Sequence, residues 1–382
     1  MAKNGFRIMD SDIHVDEPPD LWEKYIEPKF RDRAPAVKNR EAGFGMVGWH
    51  FDGKPFPAFI DRPERQRAAK FRREKAKVRN AELGRNMADL DGADPHSMLR
   101  GMDVEGVDIA VVFRTQCSHL VAIDGLDPEL SAAVCRAYNN WLGDFCKTDA
   151  KRLKPAAVLP IQDVNLAVEE ARRAVHEWGA VSLVLNSNPA NGRPWYDRYW
   201  DPLWAEATDL NVAATFHGIH TAYQDGHLGQ RYLANYPLAR AAGQPVELML
   251  AMGSMVLGGV LARYPKLRAG FFEGHCSWIP WWTWCMDEHW EKFGDDELYP
   301  LKMKPSEYFR RQCYASADAD EFLVKNAIEV VGNDNFVFST DWPHDDAYHP
   351  KAVDTFLGIE GLSTESKKKI LWDNCARLYG LA

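Results

Sequence analysis

Eight short apolar segments recur along the 382-residue chain, and longer segments with helical periodicity separate them. The segments are largely apolar without strict alternation, which is typical of strands buried on both faces of a parallel sheet. They are Phe6–Asp12, Asp108–Arg114, Lys154–Pro160, Ala180–Asn186, Asn211–His217, Leu267–Glu273, Gln312–Ser316 and Asn335–Asp341. Eight strand–helix units predict an α/β fold, a (β/α)8 TIM barrel, rather than an open sheet.

One connection is too long for an ordinary loop between a strand and a helix. Nearly a hundred residues separate the first two strand segments, so we expect residues 20–100 to form an insertion, or lid, beside the barrel mouth. The barrel is then distorted, but 1–382 remain one domain. Within the insertion, Glu64–Asn80 carries eight Lys and Arg against two Glu. Such a run indicates a solvated helix face or an oligomer contact, with an anion-attracting lid as the alternative.

The charge balance and the cysteines restrict the partners of this chain. Its 46 Lys and Arg against 55 Asp and Glu give a net charge of −9, which argues against nucleic-acid binding. No uninterrupted apolar run approaches the ~18 residues of a membrane span, and the first residues lack the apolar core of a signal peptide. Seven scattered cysteines without a CxxC pair are typical of a cytoplasmic protein with reduced thiols. We therefore expect neither a membrane nor a nucleic acid as partner.

Metal-ligand side chains lie at the carboxyl ends of several predicted strands, where barrel active sites are found. Asp12 and His14 end the first strand, and the strand period of two places them on the same side. His217 ends the fifth strand and Asp341 the eighth. Carboxylates and imidazoles that converge on one mouth form a nitrogen and oxygen site for a divalent metal, with positions left open for substrate.

Other side chains near these strand ends are candidates for substrate binding, with an ordinary structural contact as the alternative for each. They are Trp278, His220, Arg114, Glu273 and His344. Arg114 is placed to pair with a carboxylate, and Trp278 to form an aromatic wall for a planar or apolar substrate. His344 is equally suited to orient a metal ligand.

Several tryptophans follow the sixth strand. Trp278, Trp281 and Trp282 recur at i, i+3 and i+4, which predicts one face of a helix, with Trp284 off that face. We expect most of these tryptophans to be core residues and only Trp278 to face substrate.

Five stretches of the chain resemble the amidohydrolase superfamily. Within it, the similarity is to the amidohydrolase-2 family, which includes aminocarboxymuconate-semialdehyde decarboxylase and the resorcylate and carboxyvanillate decarboxylases. The stretches are MDSDIHVDEPPDLW, FHGIH, FFEGHCSWIPWWTWCMDEHW, FSTDWPHDD and KKKILWDNCARLYGL. They run from near the first residue to the last, and the insertion matches least.

The resemblance implies roles for particular residues. Asp12, His14, His217 and Asp341 are the implied ligands of one divalent metal, with Zn²⁺ expected and Mn²⁺ as the alternative. Asp12 is a departure, since these decarboxylases often have Glu there. The fourth strand segment contains no Lys, which favours one metal over a bridged pair. The relatives are commonly dimers or tetramers, so a homodimer or homotetramer is expected.

The sixth strand carries a second departure from the family pattern. The decarboxylases have a Gly-His-Met-Gly-Glu type segment there, and the corresponding residues here are Gly274 to Trp278. His275 is retained, but Trp278 replaces the Glu. Either Glu273 or His275 is then left to face the metal.

Three functions remain open. The first is a non-oxidative decarboxylase of a small aromatic or unsaturated carboxylic acid, with His275 as general acid. The second is a hydrolase of an amide, an ester or a C–C-activated carbonyl, in which metal-bound water attacks and Asp341 takes the proton. The third is a barrel that binds ligands without catalysis. The same ligand residues serve the first two, although the family motifs favour the decarboxylase.

Overall fold

The structure is a computed structural model that describes residues 3–18, 20–37, 49–55, 74–84, 94–219, 226–232, 234–294 and 300–382. Eight parallel strands form one sheet whose spatial order follows the chain. The strands are β1 (Met9–Val15), β2 (Ile109–Arg114), β3 (Leu153–Val158), β4 (Ser182–Asn186), β5 (Ala213–His217), β6 (Ala269–Phe272), β7 (Cys313–Asp318) and β8 (Phe336–Ser339). Each overlaps one predicted segment, so the barrel prediction is confirmed.

Side chains and loop backbone close the barrel between β8 and β1. The hydroxyl of Ser11 donates to the carbonyl of Phe338 at 2.8 Å. Beyond the end of β8, the amide of Asp341 donates to the carbonyl of Asp12 at 3.2 Å. The register of β1 against β2 also shifts between Asp10 and Ile13. The barrel is therefore nearly closed and distorted, and the ends of its first and last strands meet.

Helices surround the barrel, and local sequence sets their bounds. For Val164–Trp178, the Asp163 carboxylate accepts from two first-turn amides, and Gly179 ends the helix with a left-handed φ of 68°. Besides residues 74–83, the other α-helices among the described residues are Leu21–Tyr25, Pro95–Glu105, Cys117–Val121, Pro128–Cys146, Asp201–Asp209, Tyr236–Ala241, Glu247–Val256, Val260–Arg263, Ile279–Phe293, Pro305–Gln312, Val324–Val331, Ala352–Leu357, Thr364–Lys368 and Asn374–Leu378.

The predicted insertion is described in part. A small antiparallel sheet pairs Ala36–Val37, Trp49–Phe51 and Lys54–Pro55, and residues 74–83 are helical. Residues 64–73 of the basic run lie outside the described residues. The lid over 20–100 stays a prediction.

The tryptophans after β6 are more exposed than predicted. Trp281 and Trp284 are 55% and 58% exposed. The helix Ile279–Phe293 instead buries Ile279, Thr283 and Met286. The core prediction was wrong for Trp281 because the smaller side chains at i, i+4 and i+7 form the packed face.

The stretch Tyr236–Arg263, which spans three of these helices, has the length and apolar composition of a membrane span. More than half of its apolar window is buried inside the structure. A packed core helix passes the same test of length and composition.

Candidate metal centre

The carboxyl ends of β1 and β5 bring three predicted ligands together. The Nε2 atoms of His14 and His217 lie 3.2 Å apart. Asp12 Oδ1 lies 3.3 Å from Nε2 of His14, and its Oδ2 lies 3.3 Å from Nε2 of His217. All three side chains are almost completely buried. The three residues could hold one metal ion with nitrogen and oxygen donors.

The loop after β8 adds the fourth predicted ligand. Asp341 Oδ1 lies 3.3 Å from Nε2 of His14, and the Asp341 side chain is 19% exposed. His14, Asp341, Glu273 and His344 form a second group of possible donors, which shares His14 with the first. The cluster is therefore enclosed at Asp12 and more open at Asp341.

Backbone carbonyls hold both imidazoles in one orientation. Nδ1 of His14 lies 2.8 Å from the carbonyl of Arg114, and Nδ1 of His217 lies 3.0 Å from the carbonyl of Gly218. Because a carbonyl only accepts, each Nδ1 carries a proton, and each Nε2 is the nitrogen that faces the cluster. This orientation suits a metal bound through Nε2.

These residues fit a divalent cation. Both carboxylate oxygens of Asp12 are buried and have no hydrogen-bond partner among the described residues. The two Nε2 atoms also lie only 3.2 Å apart, a separation that requires a proton or a cation between them. Buried carboxylates normally pair or coordinate metals, so one cation would satisfy both features.

The electrostatics of the cluster favour charged carboxylates. Burial acts to raise the pKa of Asp12, but His217 and His14 outweigh it and hold that pKa well below its usual range. Burial likewise acts on Asp341, and His344 and His14 hold its pKa low. Both groups are therefore ionised at neutral pH, which is the form that binds metal.

Glu273 faces this cluster. Its Oε2 lies 3.3 Å from Nδ1 of His217, and its Oε1 accepts from the side-chain amide of Gln244. Burial and the charge of Asp341 raise the pKa of Glu273 to about 8. Of the two sixth-strand candidates, Glu273 is thus the one beside the predicted ligands.

His344 lies against two of the predicted ligands. Its Nδ1 lies 2.7 Å from Asp341 Oδ1, and its ring centroid lies 4.0 Å from that of His14. Thr115 Oγ1 lies 3.4 Å from both His344 Nε2 and His14 Nδ1. His344 is placed to orient Asp341, and Thr115 is a neighbour that the sequence did not indicate.

His275 lies outside the ligand cluster. Its ring is 59% exposed, and its Nδ1 lies 3.0 Å from Oδ2 of Asp318 at the end of β7. The hydrogen bond to Asp318 raises the pKa of His275 to about 9. Asp318 was missed because the predicted seventh strand ended at Ser316, two residues before the true strand end.

The remaining candidates occupy different surroundings. Trp278 is half-buried, and its Nε1 donates to the carbonyls of Gly274 and His275, both at 2.9 Å. Arg114 is buried, with one nitrogen donating to Asn186 at 2.6 Å. Its Nε and Nη1 have no hydrogen-bond partner among the described residues. The substrate contacts predicted for both residues stay predictions.

The last of the predicted substrate contacts, His220, lies outside the described residues. Arg240, which the sequence did not indicate, lies 3.7 Å from Glu273 and 2.7 Å from Asp346. No strand-end pattern in the sequence marks Arg240, because this residue lies in the helix Tyr236–Ala241, which follows β5.

An eight-stranded parallel barrel with imidazoles and carboxylates at the carboxyl ends of its strands defines a metal-dependent barrel enzyme. The sequence profile of the amidohydrolase family matches residues 10–381, so the chain belongs to the amidohydrolase family. Gamma-resorcylate decarboxylase from Polaromonas sp. (strain JS666) is 28% identical over 295 residues, which cover 74% of this chain and 86% of that protein. The family predicted from the sequence motifs is confirmed.

Solved structures share the fold. An amidohydrolase from Mycobacterium avium subsp. paratuberculosis K-10 superposes with a TM-score of 0.75 at 22% identity, covering 98% of this chain and 99% of that one. Dihydroxybenzoic acid decarboxylase from Polaromonas sp. JS666, with bound manganese and the inhibitor 2-nitroresorcinol, has a TM-score of 0.64 at 20% identity. That match covers 98% of this chain and 97% of that one.

Proposed function

We propose that this protein is a metal-dependent, non-oxidative decarboxylase of a small aromatic or unsaturated carboxylic acid. The convergence of Asp12, His14 and His217, with both Nδ1 atoms held by carbonyls, is the observation that carries the proposal. The relative at 28% identity is a decarboxylase, which supports this reaction over hydrolysis.

The proposed ligands are Asp12, His14, His217 and Asp341. When bound, the metal supplies Lewis-acid stabilisation of the substrate's carboxylate and of a neighbouring oxygen. We assign Mn²⁺ rather than the Zn²⁺ expected from the sequence, since a neighbouring structure holds manganese. Carboxylate oxygens suit manganese, and imidazole suits several transition metals. Metal analysis of purified protein distinguishes the two ions.

The protein's own groups handle the proton. His275 is protonated at neutral pH because the Asp318 carboxylate stabilises its cation. It donates this proton to the carbon that carries the carboxylate, and the C–C bond to the carboxylate then breaks as CO2 leaves. The bonding electrons stay on that carbon, so no oxidant is required. Exposure of His275 lets solvent return the proton.

A homodimer or homotetramer in the cytoplasm remains part of the proposal. The exposed Trp281 and Trp284 provide apolar surface of the kind that subunit interfaces cover. The seven cysteines are all free, as in a reducing compartment. Light scattering on purified protein tests the assembly, and a monomer at micromolar concentration contradicts it.

A substrate screen tests the reaction. Manganese-loaded protein is offered aromatic and unsaturated acids beside matched esters and amides, and CO2 release is measured. We expect CO2 from at least one acid, and much slower but measurable release in Asp341→Asn and His275→Asn. Cleavage of an ester or amide without CO2 supports the hydrolase instead. No turnover of any compound, with no bound metal, supports the non-catalytic barrel.

A further inference from the structure

The turn after β6 holds His275 in a conformation that few non-glycine residues adopt. The φ angle is 59° at His275 and 57° at Glu273. Left-handed backbone of this kind costs about 1–3 kcal/mol and persists only where the surroundings determine it. The contacts that determine it come from the loop after β7.

Glu321 clamps the backbone of this turn. Its buried carboxylate accepts from the amide of Cys276 at 2.9 Å and from the amide of Ser277 at 2.8 Å. It also accepts from the Ser277 hydroxyl and, at 3.3 Å, from the Cys276 thiol. A buried carboxylate with this many donors fixes the two residues that follow His275.

Asp318 fixes the ring of the same histidine. It ends β7, three residues before Glu321, and its Oδ2 lies 3.0 Å from Nδ1 of His275. The Nδ1 proton is thus engaged, and Nε2 remains the nitrogen that exchanges a proton with substrate. The Nε1 atom of Trp278 also stabilises the turn by donating hydrogen bonds to the carbonyls of Gly274 and His275.

The sixth-strand segment itself supplies no acid after this histidine, because the position three residues later holds Trp278. The acidic partner of His275 comes from the neighbouring strand instead.

We propose that Asp318 and Glu321 are positioning residues for proton transfer by His275, Asp318 by orienting the ring and Glu321 by holding the turn. This inference rests on the proposed decarboxylation. In that step the proton leaves Nε2 and bonds to the substrate carbon as CO2 departs. Asp318 keeps its hydrogen bond throughout and exchanges no proton.

A double-mutant cycle in kcat tests the pairing. We expect Asp318→Asn to lower kcat about 10–100-fold, as for other residues that orient a functional imidazole, with KM and metal content nearly unchanged. In the His275→Asn background the same substitution should change kcat less than about twofold, because its target is gone. The control, Glu329→Gln, removes an exposed carboxylate from the following helix. The pairing is overturned if Asp318→Asn lowers kcat by the same factor in both backgrounds, or does not lower it in the wild-type background.

A measurement without turnover separates this inference from the proposed function. Nitrogen-15 NMR of histidine-labelled protein gives the Nδ1 signal of His275, assigned by its absence in His275→Asn. We expect Asp318→Asn to shift that signal, Glu321→Gln to broaden it and Glu329→Gln to leave it unchanged. An unchanged signal in Asp318→Asn overturns the pairing whatever the activity. A shifted signal without CO2 release from any acid overturns the proposed function and leaves the pairing supported.

Discussion

Asp12 illustrates how the site is determined at the scale of single residues. The alternation of a strand places it with His14, which the spacing alone predicts. Its second neighbour, His217, comes from 205 residues further along the chain, and only the barrel brings their atoms to 3.3 Å. Burial then leaves both Asp12 oxygens without hydrogen-bond partners among the described residues, which sequence alone does not reveal.

Replacing His217 tests the ligand assignment. His217→Ala removes one of the two Nε2 donors, so we expect metal affinity to fall at least about 100-fold, with activity falling in parallel. Competition with a chromophoric chelator measures the affinity. His289→Ala, which removes an exposed histidine from the helix Ile279–Phe293, is the control. Stoichiometric metal in His217→Ala would refute the ligand role.

A buried acid remote from the metal cluster predicts a pH effect on stability. Burial raises the pKa of Glu105 to about 7, although Oε1 accepts from the amide of Val353. The folded state holds the Glu105 proton more tightly than the unfolded chain does. Protonated Glu105 therefore contributes stability that is fully present below the ordinary pKa of a glutamate. That stability is lost as the pH rises through about 7.

The neutral variant Glu105→Gln removes this dependence. From pH 5 to pH 8, the wild type should lose up to about 2–3 kcal/mol of unfolding free energy relative to the variant. Urea midpoints at the two pH values measure the difference. Glu169→Gln replaces an exposed glutamate and should show no such dependence. Parallel pH profiles for Glu105→Gln and the wild type would contradict the prediction.

At the scale of elements, the connections between strand ends decide the site. The β7 boundary lies two residues beyond its predicted end, and those two residues include Asp318. The helix Ile279–Phe293 packs through Ile279, Thr283 and Met286 rather than through its tryptophans. Both errors have one cause, because strand ends and buried helix faces depend on neighbouring elements as well as on local pattern.

The contact between the helix Pro95–Glu105 and the loop after β8 requires glycine at position 101. A Cβ there would lie 2.7 Å from the Trp342 ring, which is buried and follows Asp341. Overpacking of about 1–3 kcal/mol should outweigh the roughly 1 kcal/mol that alanine gains in a helix. We therefore expect Gly101→Ala to be less stable than wild type by urea unfolding, and to bind metal more weakly.

A second helical glycine provides the comparison. At Gly253 a Cβ would lie 3.3 Å from Trp282, which is only partly buried. Gly253→Ala should change stability by less than about 1 kcal/mol, since this approach needs the ring to move by only a few tenths of an ångström. Equal stability of Gly101→Ala and wild type would show that Trp342 is not held as tightly as its contacts indicate.

At the scale of the whole molecule, the metal site joins strands from both ends of the sequence. The proposed ligands come from β1, from β5 and from the loop after β8, so a bound ion links the two ends of the chain. Loss of the ion removes a link between β8 and β1. Side-chain and loop contacts hold these two strands together in place of a strand ladder. The overall fold should therefore be more stable with metal than without.

Metal removal measures this linkage. At a free Mn²⁺ concentration of 100 times Kd, binding to the folded state alone adds about 2.7 kcal/mol. Calorimetry should show a melting temperature a few degrees higher than after chelation. His217→Ala should show almost no metal-dependent shift. A shift of equal size in that variant would place the stabilising ion elsewhere.

The sequence by itself determined the eight strands and the candidate ligands at their ends, because apolar runs and the residues that follow them are local properties of the chain. Only the tertiary structure decided which candidates meet. It placed Glu273 beside His217, paired His275 with Asp318 and left Trp281 exposed. These outcomes depend on contacts between residues far apart in the chain, and such contacts leave no periodic signal in the sequence.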